Sequence, residues 1–375
     1  MSRWMFNAAA ARAGWVCGVA AALVAAAPAT VFAASDSLTL SGELNVQLNT
    51  LRFGDSTGRT RQDLRLDSAS SNIRFKGTES LGDGLSASFY ISGGLRVDTG
   101  TGGLCNRECF VQMAGGAGSV KLGRVLPIYD DVSLPWYFIE IQGNHNPIAL
   151  WANCGNGAGM DNGCVDSFIT AVRYDTPNWN GLSGSVSVAD LSTDLQRQKG
   201  SSHAYSGGLQ YRQGALYLGA AFQHQMDTRY GGARDSGVTL SLEWRGPVTV
   251  GLGLERLSYS MESGGTLWRD YVGLLLSHTW SSQTAWANAG RAFGGRGSAA
   301  PGSAVNNVQR LDESGASMYS VGYTYRLTKL TKLHGFYNTI VNDRNAHYSF
   351  DKSTAAELGN GQRVSSLVVG MSKKF

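Results

Sequence analysis

Apolar residues alternate strictly with small or polar ones through much of this chain, and a period of two admits only strands with two unlike faces. Val238, Leu240, Leu242 and Trp244 alternate with Thr239, Ser241 and Glu243. After Gly246 and Pro247 the pattern resumes, with Val248, Val250, Leu252 and Leu254 apolar and Thr249, Gly251, Gly253 and Glu255 small or polar. Trp268 to Trp280 repeats it, with Val272, Leu274 and Leu276 on one face. A sandwich would alternate in the same way, so connector length has to decide the architecture. Very short connectors (Gly82–Gly84, Gly115–Gly118, Asn178–Gly181, Gln213–Gly214, Gly246–Pro247, Ser281–Ser282, Thr328–Thr331) take turns with long ones near 53–63, 98–106, 125–166, 190–202, 226–236, 259–266, 293–315 and 342–362. Tight turns at one end and long loops at the other mark a barrel that crosses an outer membrane. Seven turns and eight loops give sixteen strands. The expected fold is therefore all-β: a 16-stranded antiparallel transmembrane β-barrel with short periplasmic turns and long extracellular loops.

The solvent then fixes the faces. Lipid offers backbone groups no hydrogen bonds, so the sheet must close on itself. The apolar set, Val238, Leu240, Leu242, Val250, Leu252, Leu254, Val272, Leu274 and Leu276, is expected to face lipid, and the Gly, Ser, Thr and charged set to face water inside. Trp244, Trp268, Trp280, Tyr174 and Tyr323 are candidates for interfacial girdles. This partition accounts for a composition odd for a soluble globule: 49 glycines in 375 residues, and 16% charged residues against about 25% typically. Fifteen Tyr and nine Trp argue against disorder.

The N-terminal segment reads as an export signal. Arg3 and Arg12 give a positive start, Gly14 to Ala27 an apolar stretch, and Val31-Phe32-Ala33 a small-x-small cleavage pattern. Residues 1–33 are expected to be cleaved, leaving 34–375 as one barrel domain. The net charge of +4 drops to about +2 without Arg3 and Arg12, too little to suggest nucleic acid. Beyond Cys17 four cysteines remain, Cys105, Cys109, Cys154 and Cys164, and an even count in an exported chain suggests disulfides. Three connectivities are possible, of which neighbour pairing, 105–109 and 154–164, is the simplest. Their spacing does not fit a zinc ribbon, so no metal and no cofactor is expected.

Several stretches carry a family resemblance: Ser71 to Gly82, Gly118 to Arg124 followed by Pro127 to Asp130, Ala171 to Pro177, and the terminal Val369 to Phe375. With them the chain resembles the general porins of β-proteobacteria. The resemblance implies a homotrimer in outer-membrane lipid and passive diffusion of small hydrophilic solutes and ions. It implies a third loop, about 125–166, folded inward as a constriction, Arg107 at that constriction, and Phe375 as an assembly signal. Lys121, the four cysteines and Leu134 to Phe138 depart from the family pattern.

The residues support an inward third loop independently. It is the longest connector, and it carries Trp136, Tyr137, Phe138, Ile139, Ile141, Ile148, Leu150 and Trp151, which need burial. No Lys or Arg lies between Arg124 and Arg173, while Asp130, Asp131 and Glu140 do. On the neighbouring strands the phase turns Arg74, Lys76, Arg96 and Lys121 inward. The expected site is thus a basic wall of Arg74, Arg96, Arg107, Lys121 and Arg124 facing Asp130, Asp131 and Glu140 across a narrow aqueous gap, with mild anion preference. The alternatives are a substrate-specific channel, an adhesin and a barrel enzyme. No histidine sits in a recognisable nucleophile–base motif, and no ladder of lumen-facing aromatics is evident.

Overall fold

The computed structural model describes residues 37–137, 149–151, 168–191, 202–350 and 352–375. The export segment 1–33, Glu140, Cys154 and Cys164 lie outside these described residues. The wall strands are β1 (Ser37–Gly54), β2 in two segments (Thr60–Ser68 and Asn72–Gly82), β3 (Leu85–Arg96), β4 (Cys109–Gly115), β5 (Gly118–Val125), β6 (Phe168–Asp175), β7 (Leu182–Asp190) and β8 (His203–Gln213). They continue as β9 (Leu216–Met226), β10 (Arg234–Arg245), β11 (Thr249–Ser260), β12 (Thr266–Trp280), β13 (Gln283–Ala292), β14 (Ala316–Arg326), β15 (Thr331–Asn342) and β16 (Arg363–Lys374). Each pairs antiparallel with its sequence neighbour, and β1 pairs with β16 from Glu43↔Lys374 to Phe53↔Val364, which closes the sixteen strands into a barrel. Among the described residues no helix is long and apolar enough to cross a membrane; the strands do the crossing.

The phase read from alternation is the one the barrel adopts. Val238, Leu240, Leu254, Leu274 and Leu276 are exposed on the outer surface, whereas Thr239, Ser241, Glu243 and Glu255 between them are buried. The register aligns Leu242 with Leu252 and Leu252 with Leu274, so the outward apolar rows run continuously from strand to strand. Trp244, Trp280, Tyr174 and Tyr323 lie at the turn end of the outer face, and the Trp280 and Tyr323 rings meet at 6.2 Å. Trp268 takes the same phase at the loop end.

Two features depart from a uniform rhythm. β1 pairs first with Thr60–Ser68 and then with Asn72–Thr78, so the two segments of β2 form one wall strand broken at 69–71. The break holds Ser70 at φ 59° and is pinned by Ser71, whose Oγ accepts from the Asn45 amide at 2.8 Å. It reverses the strand's parity: Leu64 and Leu66 point outward before it, Ile73 and Phe75 after it, so both Arg65 and Arg74 point inward. The first loop is also shorter than expected, because the Asp55 side chain organises a tight turn. Its Oδ1 accepts from the Thr57 hydroxyl at 2.6 Å and from the Thr57 and Arg59 amides at 2.9 Å, and its Oδ2 from Arg61 Nε at 3.1 Å. The Thr57 hydroxyl, with the other donors, holds this carboxyl well below the ordinary carboxylate range. The Cys105–Cys109 disulfide is present at the mouth, as neighbour pairing implies.

Candidate functional site: the lumen and its inward loop

After β5 the chain turns into the barrel. Pro127 sits one residue before helix α1 (Ile128–Tyr137), where its fixed φ suits a helix start and its missing N–H costs nothing. Asp130 and Asp131 fall in the first turn, where the helix dipole favours negative charge. The helix packs against the inner face of β7 to β12, chiefly β10. In a ring of sixteen, β10 stands opposite β2. The described start of loop three, helix α1, therefore lines the wall opposite β2.

Two charged anchors fix the loop. The first is the ion pair of Arg269 on β12 and Glu255 on β11, with Nη2 to Oε2 at 3.1 Å and both side chains fully inaccessible to solvent. Tyr129 of α1 donates its hydroxyl to Glu255 Oε1 at 2.8 Å. Arg269 Nη1 donates to the Leu150 carbonyl and lies 3.4 Å from the Tyr348 hydroxyl. Tyr129 also stacks on Trp151, with centroids 6.0 Å apart. One ion pair thus holds the start of loop three, its return near 150 and the eighth loop. Two buried charges are tolerable here because each has further hydrogen-bond partners.

The second anchor is Arg173 on β6. Its Nη1 donates to the Leu126 carbonyl at 2.6 Å, at the root of the loop, and its Nη2 to Asp131 Oδ2 at 2.5 Å. Its Nε reaches Asp175, which Lys121 also contacts at 3.1 Å. Two bases and two acids therefore form a locally neutral cluster.

The residues expected to make the constriction separate into two groups. Arg74 and Arg96 are exposed in the lumen phase of β2 and β3, and among the described residues neither they nor Lys76 makes an ion pair. Arg107 is also exposed, just before β4. Lys121, by contrast, belongs to the neutral cluster. Arg124 stands opposite Cys109 and donates Nε to the Arg107 carbonyl at 2.9 Å, tying β5 to the second loop. Asp131 is held by Arg173 and Asp130 is buried. The sequence places these two acids across the gap from free bases; in the structure the nearest guanidinium, that of Arg173 on β6, takes Asp131.

Sequence reasoning missed Arg173, Arg269, Glu255 and Tyr129 as a set. The available signal was Glu255 and Arg269 in the lumen phase of adjacent strands, where a charge must find either water or a partner. It also missed an inward aromatic pair, Trp286 on β13 and Phe336 on β15, with centroids 5.8 Å apart. The side-chain amides of Asn45, Gln223 and Asn288 and the Gln47 Oε1 line the inner face without a protein hydrogen-bond partner. Such groups require water, as the inside of an aqueous channel supplies.

The helix sits close to the wall at Gly219. A Cβ there would lie 2.9 Å from Val132 Cγ1 and 2.7 Å from the Tyr217 hydroxyl. Gly219→Val is expected to cost about 1–3 kcal/mol through overpacking and to push α1 into the lumen. Single-channel conductance should fall in a protein that still assembles; unchanged conductance would show that this contact does not set the aperture.

The comparisons agree with this geometry. A model described as Gram-negative porin matches residues 19–345. The chain is 28% identical over 202 residues to the major outer membrane protein P.IB of Neisseria meningitidis serogroup A / serotype 4A, covering 52% of this chain and 56% of that one. It thus spans about half the length of this relative. To outer membrane porin protein 32 of Delftia acidovorans it is 26% identical over 323 residues, covering 84% of this chain and 87% of that one. Among solved structures, an anion-selective porin from Comamonas acidovorans superposes with a TM-score of 0.75 at 21% identity, over 91% of this chain and all of that one. At that identity the likeness speaks for the fold.

Proposed function

The chain belongs to the Gram-negative porin family, and on that premise we propose that it is an outer-membrane channel for passive diffusion of small hydrophilic solutes and ions, mildly selective for anions. The observation that carries this reading is the asymmetric lumen: helix α1 of loop three anchored on one wall, and, opposite it, exposed bases that make no ion pair among the described residues. Arg74, Lys76 and Arg96 attract anions, while the Lys121, Arg173, Asp131 and Asp175 cluster contributes little net field. The relatives named as porins, and the one titled anion-selective, support the same direction. Family and fold point to a channel rather than an enzyme. The protein is further proposed to assemble as a homotrimer after removal of residues 1–33.

Liposome swelling with sugars of graded size tests passive diffusion: rates should fall smoothly with size, and a sharp preference for one sugar would favour a substrate-specific channel. The selectivity is tested by reversal potential under a salt gradient. Arg74→Ser with Arg96→Ser should move it toward cations, and Lys121→Ser should move it the same way, because it leaves the cluster of Arg173, Asp131 and Asp175 with a net negative charge. Screening in an aqueous pore acts over about 8 Å at physiological salt, so the shift should shrink as salt rises. No shift at low salt would remove these arginines from the ion path.

A further inference from the structure

The passage from β3 to β4 holds a feature that closure of the barrel does not need. β3 pairs with Thr101–Gly103 as far as Gly94↔Gly103, and with β4 from Ile91↔Cys109. Residues 104–108 therefore bulge against residues 92 and 93 alone. The Cys105–Cys109 disulfide closes this bulge at its neck. Cys105 sits at φ 61°, a left-handed backbone uncommon outside glycine, so the closed form has to be held. One edge of the bulge is fixed to β3: Asn106 Oδ1 accepts from the Gly94 amide at 2.7 Å, and the Ser92 amide donates to the Glu108 carbonyl at 2.8 Å.

The other edge meets the point where the chain leaves the wall for the lumen. Arg124 Nε donates to the Arg107 carbonyl at 2.9 Å, and the Leu126 amide donates to Glu108 Oε1 at 3.4 Å. Val125, between them, ends β5, and helix α1 begins two residues after Leu126. Arg107 and Glu108 thus hold both chain neighbours of Val125, at the root of loop three. Both lie inside the ring that the disulfide closes, so their placement depends on it. Cys105 and Cys109 are themselves only half-buried, at the loop end of the wall.

We propose that the Cys105–Cys109 bridge is a redox-sensitive clamp on the root of loop three, opened by small thiols at the outer mouth. Opening by a dithiol is an exchange. The Cys105–Cys109 S–S bond breaks, an S–S bond forms within the dithiol, and the two protons of the dithiol end on Cys105 and Cys109. The bulge then relaxes, and Arg107 and Glu108 release Arg124 and Leu126. The effect on current rests on the channel reading above; the release itself does not.

The test uses the folded protein carrying Cys154→Ser and Cys164→Ser, which leaves Cys105 and Cys109 as the sole cysteines beyond residue 33. Trypsin cleaves after Lys and Arg, and none lies between Arg124 and Arg173, so a cut at the root is read as a new N-terminus at Val125. Dithiothreitol should speed this cut about tenfold, the change expected when one hydrogen bond to a charged group is lost. Reoxidation should restore the slow rate. Adding Cys105→Ser with Cys109→Ser should give the fast rate with or without the dithiol. Single-channel current should grow noisier on reduction. A faster cut with unaltered current supports the clamp and counts instead against loop three as the constriction. An unchanged rate in protein whose two thiols titrate as free would overturn the proposal. A bridge that excess dithiothreitol fails to open in the folded barrel would overturn it too, as would a response to the dithiol that persists without Cys105 and Cys109.

Discussion

Replacing Arg269 by Met should destabilise the barrel by about 3–5 kcal/mol and enlarge its channel. The energy follows from what is left behind: Glu255 is fully buried, and without Arg269 it becomes an uncompensated charge in a dry site. The enlargement follows from connectivity. Arg269 holds the Leu150 carbonyl directly, so that limb of loop three loses its tie to the wall, while Tyr129 keeps Glu255 as its acceptor but loses the guanidinium that orients it. Chemical unfolding and single-channel recording measure the two effects separately. Arg269→Met with Glu255→Gln should recover much of the stability, because replacing a buried ion pair by neutral groups is often tolerated. It should not recover the conductance, since the Leu150 tie is still missing. A single Arg269→Met variant that unfolds and conducts like the unchanged protein would show that loop three is held by its other contacts, Arg173 and Gly219 foremost.

The unequal legibility of wall and anchor in the sequence has a physical cause. The wall is encoded locally: each strand's two faces meet two solvents, so Val238 to Trp244 announces its own orientation, and turn lengths follow from the two ends of the barrel. The parity reversal at 69–71 escaped because it depends on Ser71 bonding to Asn45, a partner 26 residues away. The anchor is longer-ranged still. Tyr129 and Glu255 are 126 residues apart, and nothing in either local stretch names the other. Loop three's apolar content revealed that it must be buried, but not against which wall. The free bases Arg74 and Arg96 were readable because their inward phase suffices to place them, whereas the pairing of Asp131 with Arg173 required knowing where the helix lands.

Leu252→Arg should cost about 2–4 kcal/mol, the range for a basic residue at mid-membrane on the lipid face of such a barrel. Leu252 lies between Leu242 and Leu274 in the outward rows of β10 and β12, so the new guanidinium finds hydrocarbon on both sides. It sits well along β11 from either end, and a long side chain must stretch far to reach a headgroup. Ser88→Arg is the matched lumen change. Ser88 occupies the inward phase of β3, across from Thr78 and Gln112. There an arginine enters water beside the basic wall, and a cost within about 0.5 kcal/mol is expected, as for ordinary surface substitutions. Like-charge repulsion from Arg74 adds little through solvent at physiological salt. Equilibrium unfolding from lipid vesicles measures both variants under one condition. Equal costs would mean that the two faces do not meet different solvents, and the membrane-spanning reading of the alternation would fail at its first premise.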